Sequence, residues 1–459
     1  MTVYKKIVLF LMLSFLLVSP VTAEVKARYS DVTFAEINLF YPAANACLAA
    51  YDDKVGNVFY SFLQNIGWKA EKFTQEGPFA DSNMFLAKKH EDGKTLYILA
   101  FRGTASRKDV KLDSQVGRVL FSGKTPYEIN KNAKKVDVPD TLPKVHRGFL
   151  QYTLAAFDVG LEESSVISSS KKLYDVIKED GNAILVVTGH SLGGAGAVLY
   201  AAGLVEMGVP TERIKVVTFG APAVGNKAFA DKYRDILDIS RIYSFYDPIP
   251  GSLQSFYSYA QFGNPVQVRS DPRIRSIQHD MANYADIVGK MYYDAREDAA
   301  KEGIIPKAPD VYDAGAGKIT AIFVREAKKN YDMDEYKYAK EILLETYRRS
   351  LLRYRVLDAP ADADRLELME MAKESGADYL VLAQVDIARV KTTSDWIMKL
   401  NQAAFDVKKD ELVTGGSYSQ TVKRDGSFFQ AAAYNSFMAV QDISSSGEEL
   451  TYPLEYSLH

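Results

Sequence analysis

The stretch Ala183-Ile-Leu-Val-Val-Thr-Gly-His-Ser-Leu-Gly-Gly-Ala-Gly-Ala-Val-Leu-Tyr200 decides the fold. Five apolar residues lead into the turn Gly189-His-Ser-Leu-Gly-Gly194, and small and aliphatic residues follow it. This order predicts a buried strand, a tight turn and a helix. A serine at such a turn has strained backbone angles that lift its hydroxyl above the sheet edge. The pattern therefore predicts Ser191 as a nucleophile, with the helix N-terminus and the Leu192 N–H beside it as an oxyanion donor.

The residues around the serine support this interpretation. Gly189 and Gly193 have no side chains, so we expect them to leave the backbone room for a sharp turn. His190 is expected to point away from the reaction zone. An ordinary strand-to-helix turn that happens to hold a serine is the alternative. We favour the nucleophile because a buried strand and a helix rich in alanine and glycine flank the turn, as this chemistry requires.

The composition is that of a globular protein with room for more than one domain. The chain has 459 residues, which at ordinary domain sizes suggests two or three domains. Its formal net charge of -3 gives no general attraction for nucleic acid, and we expect no nucleic-acid partner. No spacing of histidines, cysteines and acidic residues is typical of a metal site, so we predict neither a metal nor another cofactor.

Residues 1–23 have the pattern of a secretory signal peptide. Lys5 and Lys6 precede an apolar run from Ile7 to Val18, and small residues lead up to a cleavage site after Ala23. We therefore expect export to the periplasm, the cell surface or the medium, with an uncleaved anchor as the alternative.

Cys47 is the only cysteine, so no disulfide can form within one chain. It lies in an apolar stretch from Phe34 to Tyr51, where we expect a small core residue. The helical pattern around it, from Glu24 to about Ile66, predicts an outer-layer helix.

Strand and helix patterns alternate through the first 300 residues. A hairpin is predicted from Ser82 to Phe101, and further buried strands at 215–219 and 241–246. Helical patterns separate the strands, one of them reaching about Lys178. This alternation predicts an α/β fold with a mostly parallel central sheet that helices cover on both faces.

The end of the first core strand supplies a second candidate oxyanion donor. Gly103 allows the chain to bend at the sheet edge where ligands gather, so the N–H of Thr104 is predicted to lie near that of Leu192. Residues 105–143 are polar and irregular, and a segment of this length predicts a lid or a binding loop.

An acid and a base are predicted from position and order. Asp247 ends a core strand and precedes a proline, which favours a fixed carboxylate near Ser191; a simple turn initiator is the alternative. His279 follows Asp247 and completes the order serine, aspartate, histidine, as expected when the base comes from a late loop over an α/β sheet. Three further aspartates near the histidine stay open as the acid: Asp271, Asp280 and Asp286.

Six motifs in this order resemble the class 3 lipases, the fungal-lipase-like branch of the α/β-hydrolases. They are Phe101-Arg-Gly-Thr104, His146-x-Gly-Phe149, Gly189-His-Ser-Leu-Gly-Gly194, Thr218-Phe-Gly-Ala-Pro222 with Val224-Gly-Asn226, Asp247-Pro-Ile-Pro250, and His279-x-Met-x-x-Tyr284. The resemblance covers roughly residues 30–290. The site that it implies has Ser191 as nucleophile, His279 as base, Asp247 as its orienter, and Thr104 with Leu192 as oxyanion hole. One departure lies in residues 105–143, which lack the long apolar helix face of the fat-splitting members.

The hydrolase is predicted to span residues 24–299, and the chain changes character after it. Residues 300–317 are rich in Lys, Pro, Ala, Asp and Gly, which predicts a linker. Residues 318–459 predict a smaller α/β domain without a serine turn or a phosphate loop. Its stretch Gly376-Ala-Asp-Tyr-Leu-Val-Leu382 resembles small α/β modules of bacterial periplasmic and outer-membrane assembly proteins. We expect this accessory domain to bind a partner in the envelope or at a membrane surface.

The sequence thus predicts an exported serine ester hydrolase that cleaves lipid or other carboxylic esters through an acyl-enzyme intermediate. A phospholipase or an acyltransferase with the same triad is the alternative enzyme. A catalytically idle binding protein is the alternative from another class, which the intact set of Ser191, Asp247 and His279 disfavours.

Overall fold

The computed structural model describes most of the chain between residues 32 and 451. Outside the described residues lie 1–31, 52–59, 61–62, 64–67, 76–81, 92, 104–116, 158–170, 270–277, 314, 316, 328–333, 391, 394, 424–425, 447–449 and 452–459. The predicted signal peptide is therefore outside them. In the described part, no helix is both long enough and apolar enough to cross a bilayer.

A seven-stranded sheet forms the first half of the described chain. It starts with three antiparallel strands, β1 (Lys69–Gln75), β2 (Ser82–Glu91) and β3 (Lys94–Phe101). A separate antiparallel pair follows, β4 (Arg118–Leu120) and β5 (Lys144–His146). The large sheet continues with β6 (Ala183–His190), β7 (Ile214–Phe219), β8 (Asp238–Ser244) and β9 (Asn264–Val268). Its order is β1-β2-β3-β6-β7-β8-β9. The last five strands in this order, β3, β6, β7, β8 and β9, run parallel to one another. The predicted hairpin and parallel sheet are confirmed.

Helices cover both faces of this sheet, as predicted. They are α1 (Phe34–Ala49), α2 (Pro126–Asn132), α3 (Arg147–Ala156), α4 (Leu173–Glu179), α5 (Leu192–Glu206), α6 (Lys227–Tyr233), α7 (Ile249–Tyr257) and α8 (Met281–Lys301). Alternate residues of β6 point to opposite faces, so Val186 packs with α1 and α8 while Val187 packs with α3 and α5. Because both faces are covered, β6 is almost wholly buried and its first five residues are apolar.

A six-stranded sheet forms the second half. Its elements are β10 (Val311–Asp313), β11 (Ile319–Glu326), α9 (Glu335–Ser350), β12 (Arg353–Val356), α10 (Arg365–Glu374), β13 (Tyr379–Arg389), β14 (Trp396–Asp406), β15 (Glu411–Val422) and α11 (Phe428–Ser445). The strand order is β10-β12-β11-β13-β14-β15. Helix α10 packs on one face, and α9 and α11 pack on the other. The second α/β sheet predicted after residue 317 is confirmed.

Three details differ from the sequence predictions. The described part of 105–143, from residue 117, contains β4 and α2, because Thr125 caps that helix and Pro126 suits its first turn. The pattern that reaches Lys178 is divided between α3 and α4.

The segment 300–317, predicted as a linker, holds the end of α8 and the strand β10. This strand pairs with β12, and its Tyr312 stacks on Tyr354. The division of the chain into domains stays a prediction.

One hydrophobic core extends from the large sheet to the second sheet. It includes residues of α1, α8, α9 and α11. Tyr41 of α1 stacks on Tyr292 of α8 with ring centroids 4.0 Å apart, and Phe429 of α11 lies 6.0 Å from the ring of Tyr293. Helix α8 therefore belongs to the packing of both sheets.

A buried carboxylate joins α8 to α11. Asp286 accepts hydrogen bonds from the Ser427 hydroxyl and from the backbone N–H groups of Phe428 and Phe429. Only 6% of Asp286 is exposed. Because the first N–H groups of a helix have no acceptor inside it, Asp286 acts as a cap that a different helix supplies.

We expect Asp286→Ala to lower the free energy of unfolding by about 3 kcal/mol, because it leaves several buried donors without an acceptor. Asp286→Asn, which keeps the shape but loses the charge, should fall between this variant and the wild type. Asp298→Ala is the control on the same helix: its carboxylate is exposed and lies 3.6 Å from Lys301, so its effect should stay within about 0.5 kcal/mol. Urea unfolding of the full chain measures all three, and equal losses for Asp286→Ala and Asp298→Ala would contradict the capping role.

Candidate active site

Ser191 lies at a strained turn between β6 and α5. Its backbone has φ 56° and ψ -124°, values that cost a residue with a side chain about 1–3 kcal/mol. Its N–H donates to the carbonyl oxygen of Phe219 at 3.0 Å, and its own carbonyl accepts from the N–H of Ala195 at 3.2 Å. The predicted strained strand-to-helix turn is confirmed.

Two glycines make the turn possible. A Cβ on Gly189 would lie 2.3 Å from the carbonyl of Gly193, and a Cβ on Gly193 would lie 2.2 Å from the carbonyl oxygen of Phe101. No side chain fits at these distances, so the backbones of β3, β6 and α5 can meet here only through glycine. The predicted need for both glycines is confirmed.

The His279 ring lies between Ser191 and Asp247. Its Nε2 is 2.8 Å from Ser191 Oγ, and its Nδ1 is 2.8 Å from Asp247 Oδ2. A carboxylate only accepts hydrogen bonds, so Nδ1 carries the hydrogen and Nε2 accepts from the serine hydroxyl. The side chain of His279 is 26% exposed, so a substrate can reach the edge of the ring.

Asp247 is buried and fully hydrogen-bonded. Its side chain has no exposed area. Besides His279, Oδ2 accepts from the Tyr284 hydroxyl at 2.6 Å, and Oδ1 accepts from the Ile249 N–H at 2.9 Å. Burial raises the pKa of Asp247, but the hydrogen bonds from His279, Tyr284 and Ile249 outweigh it and bring that pKa below its ordinary value. The carboxylate is therefore ionised at neutral pH.

Tyr284 is part of a motif in the sequence, but sequence reasoning gave it no role. It lies one turn into α8, and its hydroxyl accepts from the Ser244 N–H at 2.9 Å while it donates to Asp247. Burial and the charge of Asp247 raise the pKa of Tyr284 well above its ordinary value, so this hydroxyl keeps its proton. The sequence signal for this role is the motif His279-x-Met-x-x-Tyr284. Because α8 begins at Met281, this spacing places Tyr284 in the first turn of the helix.

The remaining predicted site residues have different places. Leu192 is the first residue of α5, so its N–H belongs to the turn whose N–H groups have no acceptor within the helix. Thr104 and Asp271 lie outside the described residues. Asp280 accepts a hydrogen bond from the Ala282 N–H at the start of α8, and Asp286 caps the N-terminus of α11. The aspartate at the histidine ring is Asp247.

The other described histidines lie away from the serine hydroxyl. His146 is buried and caps α3 by accepting from the Phe149 N–H, and His90 bonds Thr95 within the hairpin. His190 points away from Ser191, as predicted, but its ring bonds the carbonyl of His279 at 2.7 Å. Nothing in the sequence signals this long-range contact. Among the described residues, no group of three histidines, cysteines or acidic residues is placed to hold a metal ion.

Residues 98–255 match a family model described as lipase (class 3). This part of the chain is therefore similar to the class 3 lipases. The range contains the strands β6 and β7 together with Ser191 and Asp247, whereas His279 follows it in the chain.

Similar proteins match over limited stretches of this chain. The toxin TseL of Vibrio cholerae is 37% identical over 93 residues, which are 20% of this chain and 12% of the toxin. The chloroplastic phospholipase A1-Igamma2 of Arabidopsis thaliana is 30% identical over 132 residues, 26% of this chain and 25% of that protein. The chain thus spans a quarter or less of either relative. The crystal structure of a lipase from Rhizopus microsporus var. chinensis is 23% identical with a TM-score of 0.39, covering 55% of this chain and 80% of that one.

Proposed function

We propose that this protein is a serine hydrolase that cleaves carboxylic esters, those of lipids in particular. The observation that carries the proposal is the pair of 2.8 Å hydrogen bonds that joins Ser191 Oγ through His279 to Asp247. The class 3 lipase match of residues 98–255 supports the same activity.

The proposed reaction begins with transfer of the acyl group to the serine. Ser191 Oγ forms a bond to the carbonyl carbon of the ester, and its proton moves to His279 Nε2. The tetrahedral intermediate then loses the alcohol, whose oxygen takes the proton back from Nε2 as the ester C–O bond breaks. The product of this half-reaction is an acyl-serine.

Water completes the cycle in the same geometry. A water molecule gives a proton to His279 Nε2 while its oxygen bonds to the acyl carbon. Ser191 Oγ then leaves with that proton, and the carboxylic acid is released. In both halves His279 becomes an imidazolium, which the buried, ionised Asp247 stabilises. The N–H groups of Leu192 and Thr104 are the proposed donors to the developing oxyanion.

Exposed aromatic side chains beside Asp247 support a lipid substrate. Phe245 is 49% exposed and Tyr246 is 50% exposed, with their ring centroids 5.0 Å apart. Exposed apolar patches on a protein surface often bind ligands or membranes, and an acyl chain or a lipid surface could cover this pair.

A phospholipase is the second candidate because a cation adjoins this pair. The guanidinium of Arg269 lies 4.5 Å from the ring centroid of Phe245, where it could meet a phosphate. Turnover of phosphatidylglycerol vesicles and of a triacylglycerol emulsion, compared with that of short p-nitrophenyl esters, decides between the candidates. A preference for the phospholipid that Arg269→Ala abolishes would favour the phospholipase.

The direct test of the proposal is covalent labelling. A fluorophosphonate probe should label the wild type at Ser191, as mapped by peptide mass spectrometry, and Ser191→Ala should lose both the label and ester hydrolysis. Removing the nucleophile of such a triad lowers turnover by about a millionfold. Ser252→Ala, which changes a serine of α7, is the control that should keep both. Labelling elsewhere, or more than about a tenth of the wild-type rate in Ser191→Ala, would refute the assignment.

The acid is tested by a substitution that keeps its shape. Asp247→Asn should lower kcat for a short soluble ester at least about a hundredfold with little change in KM, because the amide favours the wrong histidine tautomer. Asp280→Asn, at the residue that directly follows His279 in the chain, is the matched control and should cost less than about tenfold. If Asp280→Asn is the more damaging change, Asp247 is not the orienter.

We further propose that the protein is exported, on the evidence of the charged and apolar pattern of residues 1–23. Expression of the full chain in a bacterial host with an intact secretion system should yield a mature protein that begins at Glu24. N-terminal sequencing of the product measures this, and a chain that still carries residues 1–23 in the cytoplasm would contradict the proposal.

A further inference from the structure

We propose that His190 and Tyr51 are positioning residues that hold the backbone of the base, His279, in register with the nucleophile turn. The inference rests on the proposed function, since it concerns how the base of that reaction is kept in place.

The contacts of the His190 ring join two separate parts of the chain. The residue is 6% exposed and directly precedes Ser191. Its Nε2 lies 2.7 Å from the backbone carbonyl oxygen of His279, and its Nδ1 lies 2.9 Å from the hydroxyl of Tyr51. Both ring nitrogens are thus used, and neither faces the serine hydroxyl.

The chemistry of these partners fixes the direction of each bond. A carbonyl oxygen can only accept, so Nε2 carries the hydrogen and donates to His279. Nδ1 then has a lone pair, and the hydroxyl of Tyr51 donates to it. This assignment needs a neutral ring, and burial together with the nearby His279 ring lowers the pKa of His190 to about 3.

The hydroxyl of Tyr51 extends the network to a third segment. Its oxygen lies against the backbone of Gly103. A Cβ on Gly103 would lie 2.4 Å from that oxygen, so glycine is required for the contact. Gly103 follows β3 at the same sheet edge as the triad. These contacts therefore bring together three segments: the end of β3, the backbone that precedes α5, and the backbone that precedes α8.

This network restrains the backbone of residue 279, to which Asp247 makes no hydrogen bond through its contact with the ring. Asp247 fixes the His279 ring through Nδ1, but it makes no bond to the backbone of residue 279 through that contact. His190 supplies that bond from the residue next to the nucleophile. Because a misplacement of about 1 Å can cost about a hundredfold in rate, a fixed distance between the two segments matters for turnover.

The kinetic test uses three variants of the full chain and a short soluble ester. Tyr51→Phe removes one hydroxyl and should lower kcat about tenfold with KM unchanged. His190→Leu should lower kcat about a hundredfold, whereas His190→Gln, whose amide can still donate to the His279 carbonyl, should recover most of that loss. Tyr336→Phe is the control: its hydroxyl is also buried and bonds a backbone carbonyl, that of Ile387 in the second sheet, so kcat should stay at the wild-type value.

A spectroscopic measurement tests the network without reference to turnover. The ring ¹⁵N shifts of histidine-labelled protein, assigned with His190→Gln, should place the His190 proton on Nε2 and show no titration between pH 5 and 8. The titratable groups around this ring are His279, Asp247, Tyr51 and Tyr284, with Asp280, Cys47 and Tyr152 near Tyr51.

The outcomes separate this inference from the proposed function. If the wild type hydrolyses esters but Tyr51→Phe and His190→Leu stay within about twofold of it, the inference is wrong and the function stands. A proton on Nδ1 or a titration near pH 6.5 also overturns the inference. A wild type without any ester turnover overturns the proposed function and, with it, the positioning role. If His190→Leu fails to fold, Tyr51→Phe and the ring shifts decide alone.

Discussion

The hydrogen bond from Tyr284 to the buried carboxylate of Asp247 is the interaction on which the arrangement of α8 depends. It fixes the first turn of that helix against the end of β8, directly after His279. Two residues later, Asp286 caps α11 of the second sheet. One stretch of helix therefore connects the base of the candidate site to the packing of the second sheet. The packing of the second sheet therefore adjoins the helix whose first turn directly follows the base.

Local patterns were sufficient to predict much of the fold. The hairpin at 82–101, the strand and helix around Ser191, and the α/β character of the chain after residue 317 follow from hydrophobic periodicity and turn residues, and the structure confirms them. Part of the candidate site could also be predicted from local patterns, since Ser191 directly follows β6 and Asp247 follows β8 by three residues in the same sheet. Parallel strands bring such ends to one edge, which is why their proximity could be predicted.

What could not be predicted depends on contacts between distant residues. Neither the pairing of Tyr51 with His190 nor that of Asp286 with α11 leaves a period or a spacing in the sequence. The segment 300–317 looks like a linker in composition, yet its Tyr312 and neighbours form a strand because β12 offers an unpaired edge. For the same reason composition alone could not indicate that α8 would be packed against α9 and α11 as well as the large sheet.

The closeness of the His190 and His279 rings requires that only one of them carries a positive charge during the proposed reaction. Their centroids are 4.7 Å apart, and His279 takes up a proton in each half of the proposed reaction. Two positive rings at that separation would repel each other by roughly 3 to 4 kcal/mol even at an effective dielectric constant of about 20. Such repulsion would cancel a large part of the stabilisation that Asp247 gives to the imidazolium. A histidine can occupy position 190 only if it stays neutral, and its burial between the Tyr51 hydroxyl and a backbone carbonyl, which needs its N–H, achieves this. The same two bonds that position the base therefore also keep the neighbouring ring from opposing its charge.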